Sequence, residues 1–347
     1  MRYKLFGRGT GLRVSELALG CGTFGTRWGY GSEPAEAEQV FDGYVEAGGN
    51  FLDTADSYQA GQSEEWVGQF ISGRRNDFVL ATKFTLGLRP GSPLLAVGNS
   101  RKTMVRSVEA SLKRLNTDRI DLYWVHMADS VTSSEEIVRG LDDLVRSGKV
   151  LYIGLSDFPA WRVARAATIA ELRGWAPIVG LQIEYSLIER TPDRELLPMA
   201  QGLGLGVVGW SPLGGGLLSG KYRRGEQGRA TSFGRLIHQE DDPRKTATVD
   251  AVVAIAEENG VQPTQVSLAW MATRGVIPIL GTRTTAQLTE NLGATNVTLT
   301  KEQVARLDAA SAVALGFPHD LLAADEQRSR LAGGIPERVE TSPTPVA

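Results

Sequence analysis

Short apolar runs of strand length alternate with longer segments of helical period along most of this chain. The strand-length runs are residues 16–19, 51–54, 78–83, 120–126, 152–156, 180–184, 206–210 and 277–280. Most are almost continuously apolar, which is typical of parallel strands covered on both faces. Amphipathic segments follow them at 35–47, 64–71, 102–115, 135–146, 162–172 and 194–201, and two more, 248–258 and 263–273, precede the last strand. The pattern predicts an α/β protein built from eight βα units with right-handed crossovers.

Three segments depart from this alternation. Residues 3–14 alternate and turn on glycines, which predicts a short N-terminal β-hairpin. Residues 213–245 are rich in glycine and arginine without a clear period, so we expect a functional loop that acts as a lid. We expect a tail over 317–347 that is partly ordered. Because no repeat or linker divides the remainder, the sequence predicts a single domain over 1–316.

Composition narrows the classes of function. The 347 residues are 42% hydrophobic and carry a formal charge of −3 without a concentrated Lys/Arg block. This argues against nucleic acid or an anionic membrane as the main partner and favours a small molecule. The single cysteine, Cys21, cannot form an internal disulfide, no secretion signal is recognisable, and no apolar run reaches about eighteen residues. We therefore expect a cytoplasmic protein that does not span a membrane, and we predict no metal site.

Two glycine-rich motifs resemble nucleotide-binding loops. The segment from Gly20 to Gly25 matches G-x-G-x-x-G after a predicted strand. That fingerprint needs a helix directly behind it to receive the pyrophosphate, but the next predicted helix begins only near Pro34. A barrel-rim loop is favoured over a Rossmann loop, although its glycines would still allow close approach of a cofactor. The segment from Gly215 to Tyr222 approximates a P-loop, but Tyr222 stands where a Mg²⁺-binding Ser or Thr is needed.

Polar side chains collect where three predicted strands end. Asp53, Lys83 and His126 each follow an apolar run, and Tyr58 lies five residues beyond Asp53. If the strands close into a barrel, these side chains meet at its carboxyl-terminal mouth. Asp53 and Lys83 can neutralise each other, and an ammonium beside the phenol lowers the pKa of Tyr58 from about 10, which makes it a usable general acid. The alternatives are a helix-capping role for Asp53 and a hydrogen-bonded core position for His126.

These four residues, set in the segments 52–58, 81–83 and 121–126, resemble the catalytic tetrad of the aldo-keto reductases. The resemblance extends from about Phe6 to Ala310 and is closer to the bacterial and potassium-channel β-subunit-like branch. It implies a (β/α)8 TIM barrel, with the N-terminal hairpin and extra helices near the C-terminus, that binds NADPH without a Rossmann domain. It also implies reduction of an aldehyde or ketone, in which Tyr58 protonates the oxygen, Lys83 and Asp53 tune Tyr58, and His126 orients the carbonyl.

The same resemblance implies the cofactor contacts. A helix starting near Thr284, together with the guanidinium of Arg283, suits the 2′-phosphate of NADP. The full set of expected NADP(H) contacts is Gly22, Thr23, Phe24, Asp53, Ser156, Gln182, Trp210, Ser211, Pro212, Leu213, Lys221, Gly281, Arg283, Gln287, Glu290 and Asn291. Asp157 departs from the asparagine common in relatives, which puts one carboxamide contact in doubt. Arg229 is a candidate lid arginine.

The substrate is less determined by the sequence. Trp28, Tyr30, Phe84 and Trp124 suggest an apolar or aromatic pocket. Three other functions stay open: an NADP-binding regulatory partner with little turnover, a ketoreductase acting on a nucleotide-linked sugar, and a Schiff-base aldolase using Lys83. The oligomeric state is left open.

Overall fold

The computed structural model describes residues 1–226 and 238–340 and contains one closed parallel barrel. Its eight strands are β3 (Ala18–Gly20), β4 (Phe51–Asp53), β5 (Val79–Phe84), β6 (Ile120–Val125), β7 (Val150–Ser156), β8 (Ile178–Glu184), β9 (Gly206–Trp210) and β10 (Val276–Leu280). Neighbours in sequence pair in order, and β10 closes the circle onto β3. The predicted (β/α)8 barrel is confirmed, with all eight strands at the expected places.

The N-terminal hairpin is confirmed as well. Strands β1 (Tyr3–Leu5) and β2 (Arg13–Ser15) pair antiparallel, with Tyr3 opposite Ser15. The chain then places Phe6 inside the barrel, where it is fully buried and meets Phe51 and Trp124 edge-on at centroid distances of 5.6 and 6.3 Å. A Cβ at Gly180 would lie 2.7 Å from Phe6 and 2.8 Å from Trp124, so glycine is needed there to make room. The hairpin thus closes the end of the barrel opposite the mouth.

Helices cover the outside of the barrel. Six of them follow strands β3 to β8: α1 (Pro34–Glu46), α2 (Gln62–Phe70), α3 (Arg101–Leu115), α4 (Ser134–Arg146), α5 (Ala160–Arg173) and α6 (Leu196–Leu203). Ser100 and Ser133 cap α3 and α4 by accepting bonds from the backbone N–H of Thr103 and Glu136. The buried faces of these helices pack on the outward-facing strand residues to form the larger hydrophobic core.

The C-terminal third carries the extra helices. Helices α7 (Pro243–Asn259) and α8 (Pro263–Thr273) precede β10, and α9 (Thr285–Leu292) and α10 (Lys301–Ser311) follow it. Two short helices, α11 (His319–Ala323) and α12 (Asp325–Leu331), lie in the segment expected to be a tail. Within the described residues, no helix is both long and apolar enough to cross a membrane.

The expected lid segment is described only in part. Its first residues form two 3-10 turns, Gly214–Ser219 and Lys221–Arg224, and its last residues begin α7. Arg229 lies outside the described residues.

Candidate active site

Alternation along three neighbouring strands builds the floor and the rim of the barrel mouth. Residues two apart point to the same side of a strand, and inside this barrel Phe51 lies below Asp53 and Trp124 lies below His126. Lys83 follows Ala81 in the same way on β5. The lower layer is apolar and closed by Phe6, so the polar layer lies directly on buried apolar side chains.

Lys83 is the centre of this polar layer. Its fully buried ammonium donates to Asp53 Oδ1 at 2.5 Å, to the backbone oxygen of Thr54 at 2.9 Å and to Tyr58 Oη at 3.2 Å. Gln182 donates from Nε2 to the other carboxylate oxygen of Asp53 at 2.9 Å. All three ammonium protons therefore have acceptors, and one acceptor is the phenol.

The charge on Lys83 is retained although its side chain is buried. Burial alone would lower its pKa, but the charge of Asp53, the interaction with Tyr58 and the hydrogen bonds to both outweigh burial and raise the pKa above its usual value. Lys83 Nζ also lies 4.7 Å from the centroid of the Tyr58 ring. The phenol is thus held against a permanent positive charge.

The loop that carries Tyr58 is fixed from two sides. A Cβ at Gly22 would lie 3.3 Å from the Tyr58 ring, so the glycine backbone packs directly against it. Gln59 and Ala60, next along the chain, both have positive φ, at 50° and 53°. The buried Gln59 side chain accepts from the backbone N–H of Trp28 at 2.9 Å and donates to the backbone oxygen of Tyr30 at 2.8 Å. These bonds tie the Tyr58 loop to the loop after β3 and offset the backbone strain.

His126 completes the group as a neutral imidazole. Its ring meets the Tyr58 ring edge-on with centroids 5.8 Å apart. Burial and the charge of Lys83 lower the pKa of His126 to about 3. A neutral imidazole here can donate a hydrogen bond to a carbonyl oxygen while Tyr58 supplies a proton.

These groups face a cavity of about 350 Å³, the active-site cavity, within the size range of small-molecule sites. Its lining residues come from the ends of most of the strands and from the loop after β3. They are Gly20, Gly22, Thr23, Trp28, Tyr30, Asp53, Tyr58, His126, Met127, Asp157, Gln182, Trp210, Ser211, Pro212, Ile279 and Gly281.

A second cavity of about 320 Å³, the cationic cavity, adjoins the first. Both cavities share Tyr30, Ser211, Pro212 and Gly281, so together they form one groove. The cationic cavity is otherwise lined by the lid turns, the first half of α8, the end of β10 and helix α9: Leu213, Gly215, Gly216, Ser219, Lys221, Arg224, Glu226, Gln262, Thr264, Leu268, Leu280, Arg283, Gln287, Glu290 and Asn291.

Lys221 and Arg283 bring positive charge to this second cavity, which also contains two acids, Glu226 bonded to Arg224 and Glu290 bonded to Thr264. Arg283 lies over the Tyr30 ring, 4.3 Å from its centroid, and this contact holds the guanidinium at the cavity wall. Burial and the nearby charge of Arg283 lower the pKa of Lys221. Two cations held close at one cavity are stabilised by a bound anion.

Comparison with known proteins agrees with this geometry. Residues 16–312 match the model of the aldo/keto reductase family. The chain belongs to the aldo/keto reductase family. It is similar to a norsolorinic acid reductase of Aspergillus flavus, with 35% identity over 331 residues that cover 92% of this chain and 84% of the relative. It is also similar to an aryl-alcohol dehydrogenase [NADP(+)] of Phanerodontia chrysosporium, with 34% identity over 338 residues, covering 92% and 88%.

A third relative is the norsolorinic acid reductase of Emericella nidulans, with 36% identity over 319 residues that cover 89% of this chain and 81% of the relative. All three relatives are fungal. The expected closeness to the bacterial and potassium-channel branch of the family is not shown by them.

Most residues expected at the aldo/keto reductase site do line the groove, but five do not. Lys83 is fully buried and reaches the cavity only through its contacts with Asp53 and Tyr58. The other four are aromatic or polar side chains. Trp124 is fully buried one layer below His126, where it packs on Phe6, and Phe84 points outward and stacks on Tyr123 at 5.2 Å. The expectation that these two rings line the substrate pocket is therefore wrong. Phe24 packs edge-on against Phe70 in the helical layer, so its ring faces away from the groove. Ser156 is buried at the end of β7 and is absent from the groove lining.

The start of α9 also differs from the expected phosphate site. The Thr285 N–H donates to Glu36 Oε1 at 2.7 Å, and the Gln287 N–H donates to Thr284 Oγ1 at 3.2 Å. Gln287 Oε1 accepts from the backbone N–H of Arg283 at 2.9 Å, so the Arg283 guanidinium is not used in this bond. Protein groups already satisfy these donors, so an anion here relies more on the Arg283 and Lys221 side chains than on the helix end.

The groove fits a pyridine dinucleotide by the polar atoms it leaves unpaired. Nine buried side-chain polar atoms of the described residues lack a hydrogen-bond partner, and three of them, Ser211 Oγ, Thr282 Oγ1 and His126 Nδ1, belong to residues in or next to the groove wall. Buried polar atoms are rarely left unpaired in a native site unless a ligand or water completes them. Ser211 lies at the junction of the two cavities, and Thr282 lies between Gly281 and Arg283 of the groove wall. The described residues contain no cluster of His, Cys, Asp or Glu able to hold a metal ion.

Asp157 stands where an asparagine is common in the aldo-keto reductases, and the structure gives its carboxylate a hydrogen-bond partner. Trp210 donates from Nε1 to Asp157 Oδ1 at 3.1 Å, and both residues line the active-site cavity. Asp157 has a φ of 51°, a left-handed conformation that Asp and Asn tolerate better than most residues. Burial raises the pKa of Asp157 to about 6, against the lowering effects of the Trp210 hydrogen bond and the Lys83 charge.

Sequence reasoning missed several residues of this site, and three of them make informative contacts. Gln59 clamps the Tyr58 loop, Met127 lines the active-site cavity, and Glu36 bonds to the start of α9. Met127 could have been found, since it follows His126 directly at the end of a strand. The contacts of Gln59 and Glu36 span 31 and 249 residues and carry no local signal.

Proposed function

We propose that this protein reduces an aldehyde or ketone to an alcohol with NADPH, reversibly, using Tyr58 as the proton donor. The observation that carries the proposal is the contact of Tyr58 Oη with the buried Lys83 ammonium, 3.2 Å away, in a cavity that His126 also lines. A phenol held against a permanent cation, beside a neutral hydrogen-bond donor, is suited to polarise and protonate a carbonyl oxygen.

Each member of the group has a separate task. Tyr58 transfers its proton to the substrate oxygen, and Lys83 stabilises the phenolate left behind. Asp53 holds Lys83 in place, and Gln182 holds Asp53. His126 stays neutral at working pH because its pKa is about 3, so it orients the carbonyl by hydrogen bonding without competing as an acid. NADPH, when bound, supplies the hydride that the carbonyl carbon receives.

The groove suggests how the cofactor is held. The active-site cavity would take the nicotinamide, between Gly22, Thr23, Gln182 and the broad ring of Trp210. The cationic cavity would take the phosphates, with Lys221 and Arg283 as the charged contacts. The residues expected on the wall between them, Ser211, Pro212, Leu213, Gly281, Gln287, Glu290 and Asn291, all line the groove. The two cations favour NADP over NAD, because only NADP carries the additional phosphate.

The cavity also supports an aromatic carbonyl compound as substrate. The Trp28 ring packs edge-on against Tyr58 with centroids 5.9 Å apart, and Tyr30 and Met127 line the same cavity. Flat aromatic and thioether surfaces beside the proton donor are suited to a flat ring. The printed names of the relatives, aryl-alcohol dehydrogenase and norsolorinic acid reductase, are consistent with this class.

No observation on the described residues favours one of the three alternative functions. Schiff-base chemistry needs a neutral lysine amine, whereas Lys83 is fully buried, charged and bonded through all three protons. Nothing in the described residues favours a role limited to partner binding or a nucleotide-linked sugar as substrate. The closeness to the potassium-channel branch, the cytoplasmic location, the absence of nucleic acid as a partner and the division at residue 316 stay predictions.

Steady-state reduction assays test the proposal. Benzaldehyde derivatives and straight-chain aldehydes of equal carbon number are offered with NADPH or NADH, and loss of the reduced cofactor is followed by absorbance. We expect a higher kcat/KM for the aromatic series, and for NADPH. No oxidation of either cofactor with any of these carbonyls would overturn the proposed reaction, and equal kcat/KM for both series would overturn the aromatic preference.

A further inference from the structure

A carboxylate faces the active-site cavity without a cation bonded to it. Asp157 Oδ1 accepts from Trp210 Nε1 at 3.1 Å, and no ion pair within 4 Å involves Asp157 among the described residues. Asp53, the other acid in this cavity, is paired with Lys83 at 2.5 Å. Asp157 is therefore the carboxylate whose charge is left to act on the contents of the cavity.

The position of Asp157 relative to the cofactor follows from the proposed function. Tyr58, His126, Asp157 and Trp210 line one cavity of about 350 Å³, so a nicotinamide able to serve a carbonyl at Tyr58 must lie in that cavity. The nicotinamide ring is positively charged in NADP⁺ and neutral in NADPH. The two forms are identical elsewhere, and a carboxylate beside the ring attracts only the oxidised form.

We infer that Asp157 makes this enzyme bind NADP⁺ more tightly than NADPH, and so makes the bound cofactor a stronger reductant. The inference rests on the proposed function, since it requires that the groove bind this cofactor. Tighter binding of the oxidised form displaces the bound redox equilibrium towards NADP⁺, which favours carbonyl reduction over alcohol oxidation. It also implies slow release of NADP⁺ at the end of each turnover.

Other charged groups near Asp157 do not replace it in this role. Lys83 and Asp53 neutralise each other, and His126 is neutral. Glu184, at the end of β8, bonds through Oε1 to His238 Nε2 at 2.7 Å, and its charge acts on Asp157. His238 is bonded to Glu184, so it requires its own control.

The test compares the affinities of both cofactor forms by isothermal titration calorimetry, on the wild type, D157N and H238Q at pH 7.5. Asparagine keeps the acceptor for Trp210 Nε1 and tolerates the left-handed backbone, so D157N removes charge alone. We expect the wild type to bind NADP⁺ the more tightly. In D157N the dissociation constant for NADP⁺ rises about tenfold and that for NADPH changes little, an order of magnitude typical of a partly buried charge pair. H238Q keeps the wild-type preference.

A pH series on the wild type gives a second measurement that does not depend on a variant. Because the pKa of Asp157 in the free enzyme is about 6, the ratio of NADP⁺ affinity to NADPH affinity is highest well above pH 6 and falls as the pH drops below it. The 2′-phosphate also titrates near pH 6, but both forms carry it, so its effect cancels in the ratio. D157N abolishes the difference between the two profiles. An NADP⁺ to NADPH affinity ratio that is the same in wild type and D157N overturns this inference alone. Failure to bind either form overturns the proposed function with it.

Discussion

Lys83 is the residue whose removal has the widest consequences. It is a buried charge whose cost is offset only by Asp53, Thr54 and Tyr58. Taking away one partner of a buried ion pair leaves the other charge uncompensated, which costs more than removing both. The same side chain therefore contributes to stability and to the chemistry proposed for Tyr58.

Substitution of Lys83 separates these contributions. We expect Lys83→Met to abolish reduction and to lower the free energy of unfolding by about 3–5 kcal/mol, because Asp53 is left buried without its cation. The double variant Lys83→Met, Asp53→Asn is equally inactive but recovers much of the stability. Urea denaturation of the three proteins measures this, and a double variant less stable than Lys83→Met would contradict the account.

His126 makes the fold sensitive to acid. Its pKa is about 3 in the native state and about 6.5 when unfolded, so the unfolded chain takes up the proton first as the pH falls. The depressed pKa leaves stability intact above pH 6.5 and reduces it progressively down to about pH 3. We expect a loss of about 2 kcal/mol between pH 6.5 and 5. Denaturation curves of the wild type and His126→Asn should diverge over this range, and parallel pH dependences would contradict a buried neutral imidazole.

Alternation along the strands explains which residues of the site could be predicted. Asp53, Lys83 and His126 lie on inward positions at the ends of their strands and were recognisable from the sequence. The same rule, applied more strictly, would have placed Trp124 one layer below His126 and Phe84 on the outer face. Nearness to the mouth does not place an aromatic ring in the cavity, because the side of the strand on which it lies decides which way it faces.

Helix α9 and its partner Glu36 control the phosphate end of the groove at the scale of a single element. Arg283 precedes the helix, and the Glu36 carboxylate already accepts from its first N–H, at Thr285. A carboxylate at a helix start competes with a phosphate for the same field. Under the proposed function, the affinity for the extra phosphate of NADP is therefore set by Arg283 and reduced by Glu36.

Two substitutions with opposite signs test this balance. We expect Arg283→Ala to weaken NADPH binding about tenfold or more, since charged hydrogen bonds to phosphate are strong, and to change NADH binding little. Glu36→Gln is expected to tighten NADPH binding about threefold. Fluorescence titration of the wild type and both variants with each nucleotide measures the six dissociation constants. Equal weakening of NADPH and NADH in Arg283→Ala would show that Arg283 does not contact the extra phosphate.

The elements themselves were largely predictable, and the exceptions have a physical cause. Strands covered on both faces read as continuous apolar runs, which is why all eight barrel strands were located to within about two residues. The segment after Leu213 offers no such signal, because its positive-φ glycines form tight turns without hydrophobic period. The bond from Thr285 to Glu36 joins residues 249 apart, and such pairings are set by the closed barrel alone.

At the scale of the whole molecule, the barrel places its apolar closure and its polar layer at opposite ends. Phe6 closes one end through contacts with Phe51 and Trp124, and the polar layer lies at the other. We therefore expect substitutions at the closed end to leave the activity at the mouth largely unchanged.

Phe6→Ala tests that separation. Loss of a fully buried ring should cost about 3–5 kcal/mol of stability through the cavity that it leaves. Because Trp124 and Phe51 lie between this ring and the mouth, kcat/KM at 25 °C should stay within about twofold of the wild type. Thermal denaturation and steady-state kinetics give the two values. A large loss of kcat/KM in folded protein would mean that the closed end positions the site.

The most direct test of the central claim is the comparison of Tyr58→Phe with the wild type in both NADPH binding and carbonyl reduction. The substitution removes one oxygen and keeps the ring that packs on Gly22 and Trp28. The account predicts an unchanged dissociation constant for NADPH and a fall in kcat of about 10²–10⁴-fold with an aromatic aldehyde. Reduction by Tyr58→Phe at the wild-type rate, with NADPH bound equally well, would contradict the role of Tyr58 as the proton donor.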